Sequence, residues 1–225
     1  MTAPHRRPAR LLVTAASLAA AAWMAPAASA SAAVVSVDQA CYVNAATIAQ
    51  VTVSGQGFTP GDEVNVSGAD HFSAVGIADS SGAFTATAPA PTLPAGPRSQ
   101  KFVLTATDLT TAGVMAQTTI EVANLAVAIS RRSVANVAKD KVTFSFSGFT
   151  PGKHIYGFYL HGHKVVASGR FGKASGPCGV LQQRALQYPG GRPHYSAYNL
   201  AFESTNRYSK RSFPQVNGLL DIVHF

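Results

Sequence analysis

The sequence contains only two cysteines, three methionines and one tryptophan among 225 residues, and only 12% of its residues are charged. Two cysteines exclude a disulfide-dense miniature scaffold and a four-thiolate zinc ribbon. After residue 25 no apolar run approaches the roughly 18 residues a membrane-spanning helix needs, so the chain is not an integral membrane protein unless its first hydrophobic segment stays uncut. No HExxH pair, no GxSxG elbow and no Gly-Lys-Ser/Thr loop occurs. The signatures of a zinc protease, an α/β-hydrolase and a P-loop nucleotidase are therefore missing. Scattered acids give no readable pair for glycoside hydrolysis, and no capped amphipathic helix can be read in either half.

What is present begins with a processing signal. Met1 to Arg10 carry Arg6, Arg7 and Arg10 and no acid, Leu11 to Ala25 are almost wholly apolar, and Ala30-Ser31-Ala32 supplies small residues for cleavage. This pattern predicts a signal peptide over residues 1–32 and a secreted, extracellular or cell-wall-associated product. Cleavage removes Trp23 and three arginines, leaving 15 basic residues against 10 acidic ones.

A phrase then occurs twice. Gly57-Phe58-Thr59-Pro60-Gly61 returns as Gly148-Phe149-Thr150-Pro151-Gly152, each preceded by a Val-Thr strand pattern, and Pro94-Ala95-Gly96 with Arg98 is answered by Pro189-Gly190-Gly191 with Arg192. A repeat of this period predicts two modules. Residues 33–123 and 124–225 are each near the length of an immunoglobulin-type sandwich. Period-two alternation predicts strands at Val34 to Val37, Gln50 to Ser54, Glu63 to Ser67, Ala74 to Ile77, Ala83 to Ala88, Lys101 to Thr107 and Val114 to Val122. In the second module it predicts Val142 to Ser147, His154 to Leu160, Lys164 to Ala167, Leu181 to Leu186, Tyr195 to Phe202 and Leu219 to Val223. Gly169 to Gly179 is rich in glycine and reads as a loop threading close to the sandwich. The expected class is all-β, with two immunoglobulin-like sandwiches in tandem after the signal peptide and a very short connection near Asn124.

Charge divides with the repeat. Residues 33–123 hold two basic residues against seven acids, whereas 124–225 hold 13 basic residues against Asp140, Glu203 and Asp221. The second module also carries 14 of the 19 Phe and Tyr residues. Such asymmetry steers anionic polymers toward the basic half. Lys164, Arg170, Lys173, Arg184 and Arg192 form one candidate anion-binding set, and Lys210 with Arg211, flanked by Tyr208 and Phe213, forms another. The opposing reading is a solvated basic surface with no ligand.

Cys41 and Cys178 fall one in each module, so neither module can form an internal bridge. In an oxidising compartment they can pair across the boundary, remain as thiols or pair between chains, or, with a nearby histidine, supply a nucleophile at Cys178. His161-Gly162-His163 is the best metal-like fragment, although it lacks a third ligand at any recognisable spacing and equally suits a hairpin tip. No cofactor is implied.

Several of these segments, namely Cys41-Tyr42, the two Gly-Phe-Thr-Pro-Gly phrases, Thr105-Ala106-Thr107-Asp108, Tyr156 with Tyr159, and Gly176-Pro177-Cys178-Gly179, together resemble uncharacterised secreted actinobacterial proteins built from immunoglobulin-like modules. The resemblance spans nearly the whole mature chain. It implies fold and export but no established activity, so it carries over no catalytic residue. Where that pattern commonly has a histidine before the second tyrosine, this chain has Phe158.

The leading expectation is a non-enzymatic secreted or envelope-associated protein that binds an anionic envelope polymer or membrane surface. Export argues against nucleic acid as the partner. The alternatives are a cysteine- or histidine/metal-dependent extracellular enzyme and a structural spacer without a selective ligand.

Overall fold

A computed structural model of the chain describes residues 32–68, 71–131, 136 and 139–221. The signal peptide expected over 1–32 lies, but for its last residue, outside the described residues, as do Asp70 and Val223. The described residues contain fifteen strands and no helix, so none holds a helix able to cross a membrane.

The strands follow from alternation. In Gln50–Gln56, Val51 and Val53 turn inward while Gln50, Ser54 and Gln56 face out, as the two-residue pleat requires. The first eight strands are β1 (Val34–Val37), β2 (Tyr42–Asn44), β3 (Gln50–Gln56), β4 (Glu63–Gly68), β5 (Ser73–Ile77), β6 (Phe84–Pro89), β7 (Ser99–Asp108) and β8 (Met115–Asn124). They form a three-stranded sheet, β1-β3-β6, and a five-stranded sheet, β2-β8-β7-β4-β5. All pairings are antiparallel except that of β2 with β8. The next seven are β9 (Ala126–Ile129), β10 (Lys141–Ser147), β11 (His154–His161), β12 (Lys164–Lys173), β13 (Leu181–Leu186), β14 (Ala197–Glu203) and β15 (Gln215–Asp221). They form the sheets β13-β10-β9 and β12-β11-β14-β15.

Each pair of sheets encloses its own core. The first core uses small residues such as Val51, Val64, Ala86 and Ala106 around Phe58, Phe84 and Phe102. The second is built round Phe144, Phe146, Phe171 and Phe202, with ring centroids 4.9 to 6.1 Å apart. Each fully buried ring is worth about 2 to 3 kcal/mol in area alone.

Four expectations need correction. β2 and β9 were not expected, because three or four residues are too short to show a period. β12 runs on to Lys173, so Gly169 to Lys173 is strand rather than loop. Gly172 serves close packing, since a Cβ there would lie 3.0 Å from Gln183 Oε1 and 3.1 Å from Leu181, whereas one on Gly169 would make ordinary contact with Pro189. The last strand is β15, beginning at Gln215, four residues before the expected start. The strand expected from Tyr195 begins at Ala197.

The repeated phrase has a shared physical cause. In the first copy Phe58 N donates to Gly82 O and Gly61 N to Ala78 O; in the second Phe149 N donates to Gly179 O and Gly152 N to Ala174 O. Each phrase is thus a turn held by a facing loop that must come very close. A Cβ on Gly82 would lie 2.3 Å from Phe58 O, and one on Gly179 only 1.6 Å from Phe149 O. The first turn is also tied by Asp108, whose carboxylate accepts from the backbone N–H groups of Thr59, Thr110 and Thr111 at 2.9 to 3.2 Å. In the second turn, Ser204 takes the place of Asp108, its hydroxyl accepting from Thr150 N. Burial pushes the Asp108 carboxyl up, but those three donors outweigh it and hold the group at about 2.

Two outcomes follow. Gly179 has φ of +56°, so Gly179→Ala combines a left-handed backbone with a backbone clash and should lower stability by more than about 3 kcal/mol. Gly152→Ala, with φ of +74° and open space around it, should cost only about 1 kcal/mol. Urea unfolding of both variants checks this. Because the folded pKa of Asp108 lies below the unfolded value of about 3.9, its contribution is complete above that pH and is lost as pH falls toward 2. The stability gap between the protein and Asp108→Asn should close over that acid interval.

Candidate functional site

The seam between the two halves is closely constrained. Only Leu125 separates β8 from β9. Its N–H donates to Asn44 O at 2.7 Å, while Asn124 N donates to Arg98 O at 3.1 Å. The Ser147 hydroxyl donates to Asn124 O at 2.6 Å and accepts from Arg98 N at 3.1 Å. Gly148, with φ of +79°, lies so close to Leu125 that a Cβ would be 2.7 Å from its Cα. A side chain there would push the halves apart.

Cys41 and Cys178 are bonded across this seam, with Cα atoms 5.3 Å apart, inside the 4.4 to 6.8 Å that a disulfide spans. Cys41 immediately precedes β2, and Cys178 sits in the loop between β12 and β13. Cys178 O accepts from Gly148 N at 2.9 Å, which links the bridge to the seam. Since both sulfurs are bonded, neither is a thiolate nucleophile while the bridge is intact, and the cysteine-enzyme alternative lacks its reagent.

The basic candidates lie on edge strands and loops. Lys164, Arg170 and Lys173 lie along the edge strand β12, opposite His161, Tyr156 and His154. Arg184 lies on β13, the edge of the other sheet. The two edges meet where Gly172 N donates to Gln183 Oε1. Arg192 belongs to the loop whose Pro189 packs on Gly169 of β12. Lys164, opposite His161, lies at the hairpin end of β12 on the face of Ile155 and Tyr159, whereas Arg170, opposite Tyr156, lies on the other face of that sheet; Lys210 and Arg211 sit on the loop between β14 and β15. All seven are exposed, and none has a side-chain hydrogen bond or ion pair to a described residue.

The loop carrying Lys210 and Arg211 depends on Glu203, which sequence reading missed. Its carboxylate is buried and accepts from Thr205 Oγ1 at 2.9 Å, Ser209 N at 3.2 Å and Gln215 Nε2 at 2.5 Å. Tyr208 from the same loop packs on Phe158 at 5.8 Å, so the aromatic at 158 serves as an apolar anchor. One of only three acids in a basic, aromatic half, Glu203 offered no other signal.

His161 and His163 lie at the β11–β12 hairpin. Gly162 occupies the turn with φ of +58°, as the first position of a two-residue type II′ loop requires. His161 stacks flat on Tyr195 at 3.7 Å beside an open cleft of about 440 Å³ that also includes His194 and Tyr198. Tyr198 accepts from the backbone N–H groups of His194 and Tyr195. Burial pushes the nearby Tyr159 phenol up, and burial with the Tyr198 hydroxyl raises Tyr188 to about 12. These phenols remain protonated donors at neutral pH; Tyr159 donates to Gln187 O at 2.8 Å. Among the described residues no group of three or more His, Cys, Asp or Glu is arranged to hold a metal.

No protein-family model matches the chain, and no curated protein matches it in sequence. Among solved structures it is similar to the tetra-tandem repeat in the extending region of a large adhesion protein, at 12% identity and a TM-score of 0.29. That alignment covers 84% of this chain and 49% of the other, so the chain spans about half the length of the structure it matches. A likeness this slight carries no functional argument.

Ser147 is 1% exposed, and Ser147→Ala would strand Asn124 O and Arg98 N. The expected cost is about 1 to 3 kcal/mol, measured by denaturant unfolding. Peptide mapping without reductant should recover Cys41 and Cys178 in one linked pair, within a single chain.

Proposed function

We propose that this chain is a secreted, envelope-associated recognition protein made of two immunoglobulin-like modules, an acidic one at 33–123 and a basic one at 124–225, and that the basic module binds an anionic envelope polymer. The observation that carries this reading is the set of exposed cations, Lys164, Arg170, Lys173, Arg184 and Arg192, on the edge strands β12 and β13 and the loop after β13, with no intramolecular partner among the described residues. Unpartnered guanidinium and ammonium groups on adjoining edge strands are available to phosphate or carboxylate oxygens. The acidic module repels the same polymer and so favours one orientation on it. Charged edges also discourage strand-to-strand association, which suits a protein that meets polymer rather than its own copies along β12. The signal at residues 1–32 supports delivery outside the cell.

Binding should weaken steeply with salt, since the screening length falls from about 10 Å at 0.1 M to about 3 Å at 1 M. Co-sedimentation with isolated envelope polymer should show at least a tenfold loss between those conditions. The triple substitution Lys164→Glu, Arg170→Glu and Lys173→Glu should produce a similar loss at low salt. Salt-independent attachment, or no attachment at low salt, would sink the reading.

A further inference from the structure

A second cleft, of about 430 Å³, lies at the seam itself. It is shallow and open to solvent, with a volume in the range of a small-molecule subsite. Pro97, Arg98 and Ser99 form one wall; Ser145, Ser175 and Gln182 lie on the wall contributed by the basic half, with Leu181 among the apolar lining. No carboxylate lines it.

We propose that this cleft is a binding subsite for an anionic saccharide, with Arg98 holding the anionic group and the hydroxyls of Ser99 and Ser145 and the amide of Gln182 holding sugar hydroxyls. The proposal presupposes the anionic-polymer reading and locates where one unit of the polymer is read.

Three observations converge on it. The first is unused capacity. The Arg98 guanidinium, the Ser99 and Ser145 hydroxyls and the Gln182 amide make no side-chain hydrogen bond or ion pair with any described residue. Ser147, one pleat along from Ser145, has its hydroxyl fully engaged at the seam. Strand pairing sets Ser145 opposite Gln182 and Thr143 opposite Arg184, so Gln182 and Arg184 share the outer face of β13 about 7 Å apart. The cleft therefore opens toward a second cation.

The second observation is chemical. Arg98 and Lys101 are the only basic residues of the acidic half, and Arg98 is the one placed at the boundary with the basic half. A guanidinium presents a fork that fits two oxygens of one phosphate or carboxylate. Serine hydroxyls both donate and accept, and an amide does so through separate atoms, which matches the mixed demands of sugar hydroxyls. Pro97 and Leu181 provide apolar surface for the C–H faces of a ring.

The third is preorganisation. Arg98 is fixed at both backbone atoms: its N–H donates to Ser147 Oγ and its O accepts from Asn124 N. Ser175 and Val180 exchange backbone hydrogen bonds at 2.8 and 2.9 Å, closing a loop that contains Cys178 and its bridge to Cys41. Both walls are thus held by the seam before a ligand arrives, which lowers the ordering cost of binding.

Calorimetric titration of the intact, disulfide-bonded protein tests this with three probes of equal length: a phosphodiester-linked oligosaccharide, a uronic-acid oligosaccharide and a neutral dextran oligomer. At least one charged probe should bind, and dextran at least tenfold more weakly. The preference between the charged probes distinguishes phosphate from carboxylate as the anion read. Arg98→Ala should weaken binding by tenfold or more and Arg98→Lys by less. Ser145→Tyr, which fills the cleft from the opposite wall, should match Arg98→Ala, whereas Lys153→Ala, an exposed cation outside every candidate set, should stay within twofold. Thermal unfolding of each variant verifies that the fold is kept. If charged probes bind and Arg98→Ala and Ser145→Tyr stay within twofold, while the triple β12 substitution abolishes binding, the cleft proposal is overturned and the reading on the basic edge strands stands. If neither charged probe nor isolated envelope polymer binds, both fall.

Discussion

A single residue, Leu125, connects two sandwich-like halves, and the hydrogen bonds around it leave little freedom. Asn124 is tied to Arg98 through its N–H and to Ser147 through its carbonyl, while Leu125 is tied to Asn44. Gly148 then admits the connecting backbone where any side chain would collide. A covalent bond repeats the constraint from the other side, joining Cys41 to Cys178. By chain entropy a bridge closing 137 residues is worth about 5 kcal/mol before strain. The seam is therefore held by noncovalent and covalent attachments that share Gly148, and the cleft beside it inherits that rigidity.

The two halves reach similar architectures with different materials. The first packs alanine and valine between its sheets, so its backbones approach closely around a few phenylalanines. The second fills the equivalent space with clustered aromatic rings and uses glycine at Gly157 and Gly172 to make room for Phe171, Phe202 and Leu181. Bulk inside and charge outside are both concentrated in the same half. The buried Glu203 reconciles them locally, since its accepted hydrogen bonds pin a loop whose exposed members include Arg207, Lys210 and Arg211. A buried carboxylate with three donors is tolerable where an unpaired one is not.

Much of the strand order was legible in sequence because a half-buried strand must alternate. Val34–Val37 and Leu181–Leu186 stand where alternation placed them. Legibility failed where alternation was too brief, as in β2 and β9, or masked by glycine, as in the second half of β12. The repeated Gly-Phe-Thr-Pro-Gly phrase was legible as a repeat, but its cause was not. The facing loops, Ala78 to Gly82 and Ala174 to Gly179, differ in length and share little beyond their terminal alanine and glycine, so no phrase announces them. Among the site residues, the basic candidates on β12 and β13 were named individually, while the meeting of their two sheet edges at Gly172 and Gln183 was not legible. Arg98 was visible only as the partner of Arg192 in a loose repeat.

The amino-acid sequence alone determined the all-β character, the twofold repeat, the separation of charge and the presence of one cysteine in each half, because period, composition and spacing are properties of the chain itself. Tertiary structure decided that the two sulfurs meet within one chain, on which sheet edges the cations lie, and that Ser147, Gly148, Asn124 and Arg98 form one seam. Those residues lie up to fifty positions apart and have no common local pattern. Their association follows from the close approach of backbones across a one-residue connection, a constraint that exists only once both halves have folded.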